Sequence, residues 1–100
     1  MRVISPKRIR EAIAHHPEWG ASLKTWHRIT KLAKWKNSAD MKLSWSNFEK
    51  VGICYVFDIM HNRCRLIAHI DFKFQLVFIR SVLSHSEYGK DGWKNDCDSD

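Results

Sequence analysis

The chain has 100 residues and a formal net charge of +6 at pH 7, which favours an anionic partner such as nucleic acid or an acidic protein. Its length and its hydrophobic fraction of 44% suit one compact domain with one modest core, and they argue against a second domain. No apolar run approaches the roughly 20 residues that span a membrane, and the N-terminus reaches Pro6-Lys7-Arg8 without the apolar core of a signal peptide, so no membrane contact is expected.

The cysteines bear on the redox state of the protein. Three are present, Cys54, Cys64 and Cys97, and they form no CxxC motif or paired framework. An odd count without such spacing is typical of reduced thiols, which persist in the reducing cytosol. The sequence therefore predicts a cytoplasmic protein whose cysteines are all free.

The N-terminal half is predicted to supply an edge strand and two helices. Arg2-Val3-Ile4 is short enough for an edge strand. A helix is predicted from about Pro6 to His15, and a second from about Glu18 or Ala21 to Trp35, because apolar residues recur in both at helical spacing. The second helix also carries a basic stripe, interpreted as a solvated face rather than an RNA contact. Its members are Lys24, Arg28 and Lys31.

The segment that follows is predicted to be a polar connector, from Asn37 to Lys50. Within it, the alternation of polar and apolar residues over Met41–Trp45 allows a short extra strand. The connector leads into the part of the chain that carries the strongest pattern.

Three successive β-strands are predicted there, because the segments are rich in β-branched and aromatic residues. They cover Ile53–Ile59, Cys64–Phe72 and Leu76–Leu83. His61-Asn62 fits the centre of a type I′ hairpin turn, since both residue types tolerate positive φ. We therefore predict an α+β fold in which two N-terminal helices pack on an antiparallel sheet of about four strands.

Side chains alternate between the two faces of a strand, so the pattern also predicts what each face carries. One face is almost wholly apolar and should meet the helices; it includes Tyr55, Phe57, Leu66, Ala68, Ile70, Val77, Ile79 and Leu83. The opposite face, called the open face below, should be exposed or grooved. It is predicted to carry Asp58, Arg65, His69, Asp71, Arg80 and Val82.

The sequence Ser84-His85-Ser86-Glu87 matches a capping box, in which a serine hydroxyl and a glutamate carboxylate satisfy each other's backbone amides. A short C-terminal helix should therefore begin at His85, beside the end of the third strand. The single domain is predicted to cover residues 1–94. Residues 95–100 form a short acidic tail that is expected to be disordered.

If the anionic partner is RNA, the charged side chains of the open face and those of the following helix match the groups that its cleavage by attack of the 2′-hydroxyl requires. Arg65 and Arg80 can hold the charge that grows on the phosphate oxygens, because a guanidinium forks onto two oxygens and stays charged. His85 suits acid or base work. Tyr88, one helical turn later, can stack on a base or assist proton transfer.

Other interpretations of the same residues stay open. Asp58 or Asp71 can simply neutralise Arg65, and His85 can be a cap residue and nothing more. A metal hydrolase could draw on His61, His69, Asp58 and Asp71, although no HExxH or comparable spacing organises them. A plain nucleic-acid-binding module would keep the basic face without the chemistry.

Two runs, Val56–Ala68 and Phe78–Tyr88, resemble the HigB family of bacterial toxins, and Met1–Ser5 and Ala33–Asp40 extend the resemblance over nearly the whole chain. The resemblance implies a fold similar to RelE-type ribonucleases. It implies an mRNA interferase that acts on messenger RNA with the ribosome, without a cofactor or a metal. It also implies a cognate antitoxin, HigA-like, with a helix-turn-helix domain.

The resemblance, together with the chemistry above, assigns catalysis to Arg65, Arg80, His85 and Tyr88. RNA contacts are expected from Asn62, Arg63, His69, Lys73 and Lys90. The chain departs from the family pattern in its first hairpin, where Asp58-Ile59-Met60-His61-Asn62 replaces Asn-x-Gly-Gly-Asn, and in Gly89, which replaces an Asp. The loss of both glycines keeps an inactive nucleic-acid-binding or antitoxin-binding module as the alternative.

Overall fold

The fold is described by a computed structural model that covers residues 1–98. Within that range five strands run Arg2–Ile4 (β1), Phe48–Val51 (β2), Cys54–Asp58 (β3), Cys64–Asp71 (β4) and Leu76–Ser84 (β5). The α-helices run Lys7–His15 (α1), Gly20–Leu32 (α2), Ser38–Ser44 (α3) and His85–Gly89 (α4), and short 3-10 helices span Pro17–Trp19 and Gly92–Cys97. No helix in residues 1–98 is long and apolar enough to cross a membrane.

The strands form one sheet in the order β1-β5-β4-β3-β2. Neighbouring strands from β2 to β5 are antiparallel, whereas β1 runs parallel to β5. The predicted α+β class is confirmed, and so is the strand at Arg2–Ile4. The sheet has five strands rather than about four, because Phe48–Val51 adds an edge strand, and it is mixed rather than wholly antiparallel, because β1 runs parallel to β5.

The connector after α2 differs from its prediction. Met41–Trp45 was predicted to allow a strand, but Ser38–Ser44 is a helix. The helix forms because the Asn37 side chain accepts a hydrogen bond of 2.9 Å from the backbone amide of Asp40, which caps its first turn. The strand follows instead at Phe48–Val51 and pairs with β3.

The first two helices cover one face of the sheet, as predicted. Leu23 and Trp26 lie one turn apart on α2 and are fully buried, and the Trp26 ring meets the edge of Phe57 at a centroid distance of 5.3 Å. The helix-covered core also takes in Ile9, Trp19, Leu66, Ala68, Ile70, Val77 and Ile79. The basic stripe on α2 is exposed, in line with its interpretation as a solvated face.

A β-bulge changes the end of β5. Ala68 pairs with Ile79 and Ile67 pairs with Ser81, which leaves Arg80 as an extra, exposed residue. Beyond the bulge the side chains exchange faces. Val82 therefore packs against the helix-covered core and Leu83 against the open face, so the predicted faces of these two residues are wrong.

The C-terminal 3-10 helix, Gly92–Cys97, covers part of the open face. Cys97 is buried and is joined to Cys54 by a disulfide. The expectation of free thiols is therefore wrong for this pair, and Cys64 alone is a free, buried cysteine within residues 1–98. Residues 95–97 of the tail that was expected to be disordered belong to this 3-10 helix, and Ser99 and Asp100 lie outside the described range.

Candidate active site

Arg65 lies near the start of β4 with its side chain on the open face, as predicted. Its Nη1 is 2.9 Å from Asp58 Oδ1 in an ion pair, and its Nη2 donates a 2.6 Å hydrogen bond to Asn62 Oδ1. Asp58 and Arg65 are also paired across β3 and β4. The Arg65 side chain is only 16% exposed, and its contacts with Asp58 and Asn62 orient the guanidinium.

The hairpin before Arg65 forms without the two glycines of the family pattern. His61 and Asn62 adopt φ of 45° and 68°, and the Arg63 amide donates to the Met60 carbonyl oxygen at 2.8 Å. The Asn62 amide donates to Asp58 Oδ1 at 2.9 Å. This confirms the predicted turn at His61-Asn62 and places the Asn62 side chain within reach of the Arg65 guanidinium.

Tyr88 connects this hairpin to two other parts of the chain, the C-terminal 3-10 helix and β2. Its ring lies under the Arg65 guanidinium, 5.2 Å from Cζ to the ring centroid. The Trp93 ring stacks on it with centroids 4.9 Å apart, and the Tyr88 hydroxyl donates to Glu49 Oε1 at 2.9 Å. We call the group of Glu49, Asp58, Asn62, Arg65, Tyr88 and Trp93 the Arg65–Tyr88 cluster.

The environment of Tyr88 disfavours its ionised form. Burial raises the pKa of the phenol, and the hydrogen bond and negative charge of Glu49 raise it further, while Arg65 opposes the shift. A raised pKa in the folded chain gives a stabilisation that is complete below the ordinary tyrosine value of about 10 and is lost as the pH rises through the folded value. The phenol thus keeps its proton at neutral pH and can donate a hydrogen bond.

We expect the Glu49→Gln variant to lower the pKa of Tyr88 without returning it to the ordinary value. The amide oxygen can still accept the phenolic hydrogen bond, but the negative charge is gone and the burial remains. The ultraviolet absorbance of the phenolate, followed against pH, measures this. A Tyr88→Phe variant identifies which of the two tyrosine titrations belongs to Tyr88, and an unchanged Tyr88 titration in Glu49→Gln would contradict the prediction.

A cleft of about 260 Å³ lies beside the cluster. Its lining combines carboxylate, guanidinium, amide and hydroxyl groups with two apolar side chains, and consists of Ser46, Asn47, Phe48, Glu49, Val56, Asp58 and Arg65. Beside the cleft lie the Arg65 guanidinium, the Tyr88 phenol bonded to Glu49, and the stacked rings of Tyr88 and Trp93.

Three other predicted site residues, His85, Arg80 and Lys90, lie outside the cluster. His85 is exposed at the first position of α4, where the predicted capping box is present between Ser84 and Glu87. Arg80 is exposed at the bulge, and Lys90 is exposed at the end of α4. Within residues 1–98 no hydrogen bond or ion pair links Arg80 or His85 to the cluster.

Two further candidates lie away from Arg65. His69 is half-buried on the open face and stacks on Phe78 with centroids 6.1 Å apart. Lys73 is in the turn between β4 and β5, where its Nζ lies 5.5 Å from the Phe74 centroid. Since a strand rises about 3.3 Å per residue, the far end of β4 is roughly 20 Å from Arg65, so the structure does not bring Lys73 into the cluster.

Glu49 and Trp93 belong to the cluster but were not identified from the sequence. Glu49 lay in the segment interpreted as a polar connector, and Trp93 in the irregular chain after the last helix. A hydrophobic tryptophan close to a supposedly disordered tail was the available signal for Trp93. No local pattern marks Glu49, because its partner is 39 residues away.

The residues considered for a metal site are not gathered in one place. Asp58 is paired with Arg65, while an Asp71 oxygen accepts a 3.0 Å hydrogen bond from the Phe74 amide at the other end of β4. Within residues 1–98 no group of three or more His, Cys, Asp or Glu side chains is arranged to hold a metal ion.

Comparison of the sequence with known proteins places the chain in a family. Residues 20–91 match the model of HigB_toxin, described as the RelE-like toxic component of a toxin–antitoxin system. The mRNA interferase HigB of Escherichia coli O6:H1 (strain CFT073) is 27% identical over 93 residues, which cover 90% of either chain. The mRNA interferase toxin HigB of Escherichia coli K12 and the mRNA interferase HigB of Shigella flexneri are each 28% identical over 91 residues, 88% of either chain.

Proposed function

This chain belongs to the HigB family of RelE-like toxins, and we propose that it is an endoribonuclease that cuts messenger RNA in the cytoplasm. The observation that carries the proposal is the fixed Arg65 guanidinium over Tyr88, beside a cleft on the open face. The names of its relatives, mRNA interferases that align over most of both chains, support the same activity.

The proposed reaction is attack of a 2′-hydroxyl on the adjacent phosphorus, with loss of the 5′-oxygen. It needs a base for the hydroxyl proton, a cation for the charge on the phosphate oxygens and an acid for the leaving group. Arg65 and Arg80 would supply the cations, and His85 and Tyr88 the proton transfers. Because these side chains can fill every role, we propose acid–base chemistry that does not depend on a metal.

RNA would reach the cleft along the open face. Asn62 and Arg63 in the first hairpin and Lys90 after α4 are exposed at the end near the cleft. His69, with Phe78, offers a stacking surface farther along, and Lys73 lies at the opposite end. We propose that these residues hold a single strand by phosphate contacts and stacking, independently of its sequence.

We further propose two partners. The first is a HigA-like antitoxin with a helix-turn-helix domain, since family membership implies an antitoxin. An acidic antitoxin segment would complement the net charge of +6. The second is the ribosome, on which the messenger RNA would be cut.

The alternative of an inactive module depended on the missing glycines of the hairpin. His61 and Asn62 form the turn without them and place Asn62 against Arg65, so this departure does not disrupt the Arg65–Tyr88 cluster. We therefore expect the chain to be an active toxin.

Expression of the chain alone should arrest growth, and co-expression with the product of the adjacent gene should restore it. Mapping of messenger RNA 5′-ends after induction should show new cuts, and purified protein in a translation reaction should cut the same message. When metal is removed from the toxin before it is added to pre-formed ribosome complexes, cleavage of the message should be unchanged. Normal growth and intact messages despite abundant folded protein would contradict the proposed function.

A further inference from the structure

The C-terminal segment, Gly92–Cys97, is bonded to the turn between β2 and β3 and to the first residue of β3. A disulfide joins Cys97 to Cys54, and these residues are 43 positions apart in the sequence. The Cys97 carbonyl oxygen also accepts a 2.9 Å hydrogen bond from the amide of Ile53. Covalent and backbone contacts thus hold the segment at the same place.

Gly52 makes room for this contact. It adopts a φ of 58°, and a Cβ atom at this position would collide with the Cys97 carbonyl. A side chain at residue 52 would therefore both strain the backbone and push the segment away. The turn between β2 and β3 is shaped to receive the C-terminal segment closely.

The same segment supports Tyr88. Trp93 donates from Nε1 to the Tyr88 carbonyl oxygen at 2.9 Å, and its ring stacks on the Tyr88 ring with an interplanar angle of 13°. On the open face, Trp93 and Cys97 pack in one cluster with Cys54, and Tyr88 packs against it. Loss of the segment would leave one side of the Tyr88 ring without its neighbour.

The segment is small enough to open locally. Its other four members, Gly92, Lys94, Asn95 and Asp96, are exposed, and its hydrogen bonds to the rest of the chain are few. Opening would bring the buried sulfur of Cys97 into solvent. The third cysteine, Cys64, is on the helix-covered side of the sheet, and burial raises the pKa of its thiol to about 12.

We propose that Cys54 and Cys97 form a reversible redox site that controls Tyr88 through the C-terminal segment. The disulfide form holds the segment and keeps the Tyr88 ring between Trp93 and Arg65. The dithiol form releases the segment and weakens the site. A disulfide in a protein that acts on cytoplasmic RNA fits redox control, because lasting disulfides are uncommon in that compartment. The expected change in RNA cleavage rests on the proposed function, whereas the expected release of the C-terminal segment does not.

The chemistry is thiol–disulfide exchange with a small thiol or disulfide. On reduction, one thiolate of a dithiol attacks a sulfur of the pair and forms a mixed disulfide. The second thiolate then closes the reductant into its own disulfide, so two electrons and two protons pass to Cys54 and Cys97. On oxidation, glutathione disulfide takes the electrons and leaves as two molecules of glutathione.

The test compares the purified protein after treatment with glutathione disulfide and after dithiothreitol. Alkylation in denaturant should count one free thiol in the oxidised form and three in the reduced form. Hydrogen exchange of residues 88–97 should be faster in the reduced form. RNA cleavage should fall about 5- to 150-fold on reduction, the usual range for coupling between two sites.

Variants separate the pair from general effects of the reagents. Cys97→Ala and Cys54→Ala should each resemble the reduced parent and no longer respond to either reagent, whereas Cys64→Ala should respond like the parent. Gly52→Ala should speed exchange of the segment although both sulfurs remain. Thermal melts confirm that each variant is folded. If either Cys97→Ala or Cys54→Ala fails to fold, the other still tests the disulfide.

Equal hydrogen exchange of residues 88–97 in the two redox states would overturn the proposal. So would an active parent whose hydrogen exchange is faster on reduction while its RNA cleavage is unchanged. If neither form cuts RNA while exchange of the segment still depends on the Cys54–Cys97 pair, the proposed function fails and the redox site stands. The two failures are therefore distinguishable.

Discussion

Replacing Arg65 by alanine is expected to slow RNA cleavage by about 10²–10³-fold, the usual cost of removing a preorganised donor from a transition state. The guanidinium is held by Asp58 and Asn62 and lies over Tyr88, so it does not need to reorganise when charge develops on the phosphate. Arg65→Lys should recover only part of the rate, because an ammonium keeps the charge but cannot form the two-pronged contact.

The measurement is single-turnover cleavage of one defined message under matched translation conditions. Arg10→Ala is the matched control, since Arg10 is exposed on α1 and its loss removes the same charge. Removal of Arg65 also leaves Asp58 without its ion pair, so thermal melts and the double variant Asp58→Asn/Arg65→Ala separate misfolding from lost catalysis. If folded Arg65→Ala cuts as fast as Arg10→Ala, Arg65 does not hold the phosphate.

Local patterns were enough to predict several parts of the site. The turn at His61-Asn62 and the capping box at Ser84 depend on residues within four positions of one another, and both have the expected geometry. Strand alternation put Arg65 and Asp58 on the same open face, and the structure pairs them directly across β3 and β4. In each case a short-range steric or hydrogen-bonding preference agrees with the fold.

The features that were missed depend on distant parts of the chain. The strand is apolar both before and after Arg80, so its sequence does not show that the side chains exchange faces at Val82. The stacking of Trp93 on Tyr88 and the Cys54–Cys97 disulfide require the C-terminal segment to return to the sheet. Such contacts follow from the packing of the whole domain and leave no periodic trace.

Met41–Trp45 shows competition between two local signals. The alternation of side chains suits a strand, but the Asn37 cap and the burial of Met41 favour the helix that forms. The strand lies instead at Phe48–Val51, where Glu49 accepts a hydrogen bond from the Tyr88 hydroxyl. Because the extra strand was predicted a few residues too early in the chain, Glu49 was not recognised as a member of the candidate site.

Replacing His85 by alanine is expected to reduce cleavage by about 10²–10⁴-fold, the range for a general acid or base. His85 is exposed at the first position of α4, one turn before Tyr88, and follows Ser84, whose strand partner Cys64 precedes Arg65. We expect a ring at this position to approach a phosphate held by Arg65 and to transfer its proton there. Because the capping box uses Ser84 and Glu87, loss of the imidazole leaves the start of the helix intact.

His85→Gln separates proton transfer from hydrogen bonding, since the amide keeps polar atoms near the ring nitrogens but cannot titrate. We expect it to be nearly as slow as His85→Ala and to lack one ionisation in the pH dependence of cleavage. His15→Ala, at an exposed histidine in the last turn of α1, is the matched control. Melting temperatures and antitoxin binding should remain close to those of the parent in all three variants. Cleavage by folded His85→Ala at the rate of His15→Ala would leave Tyr88, which keeps its phenolic proton at neutral pH, as the next candidate for the acid.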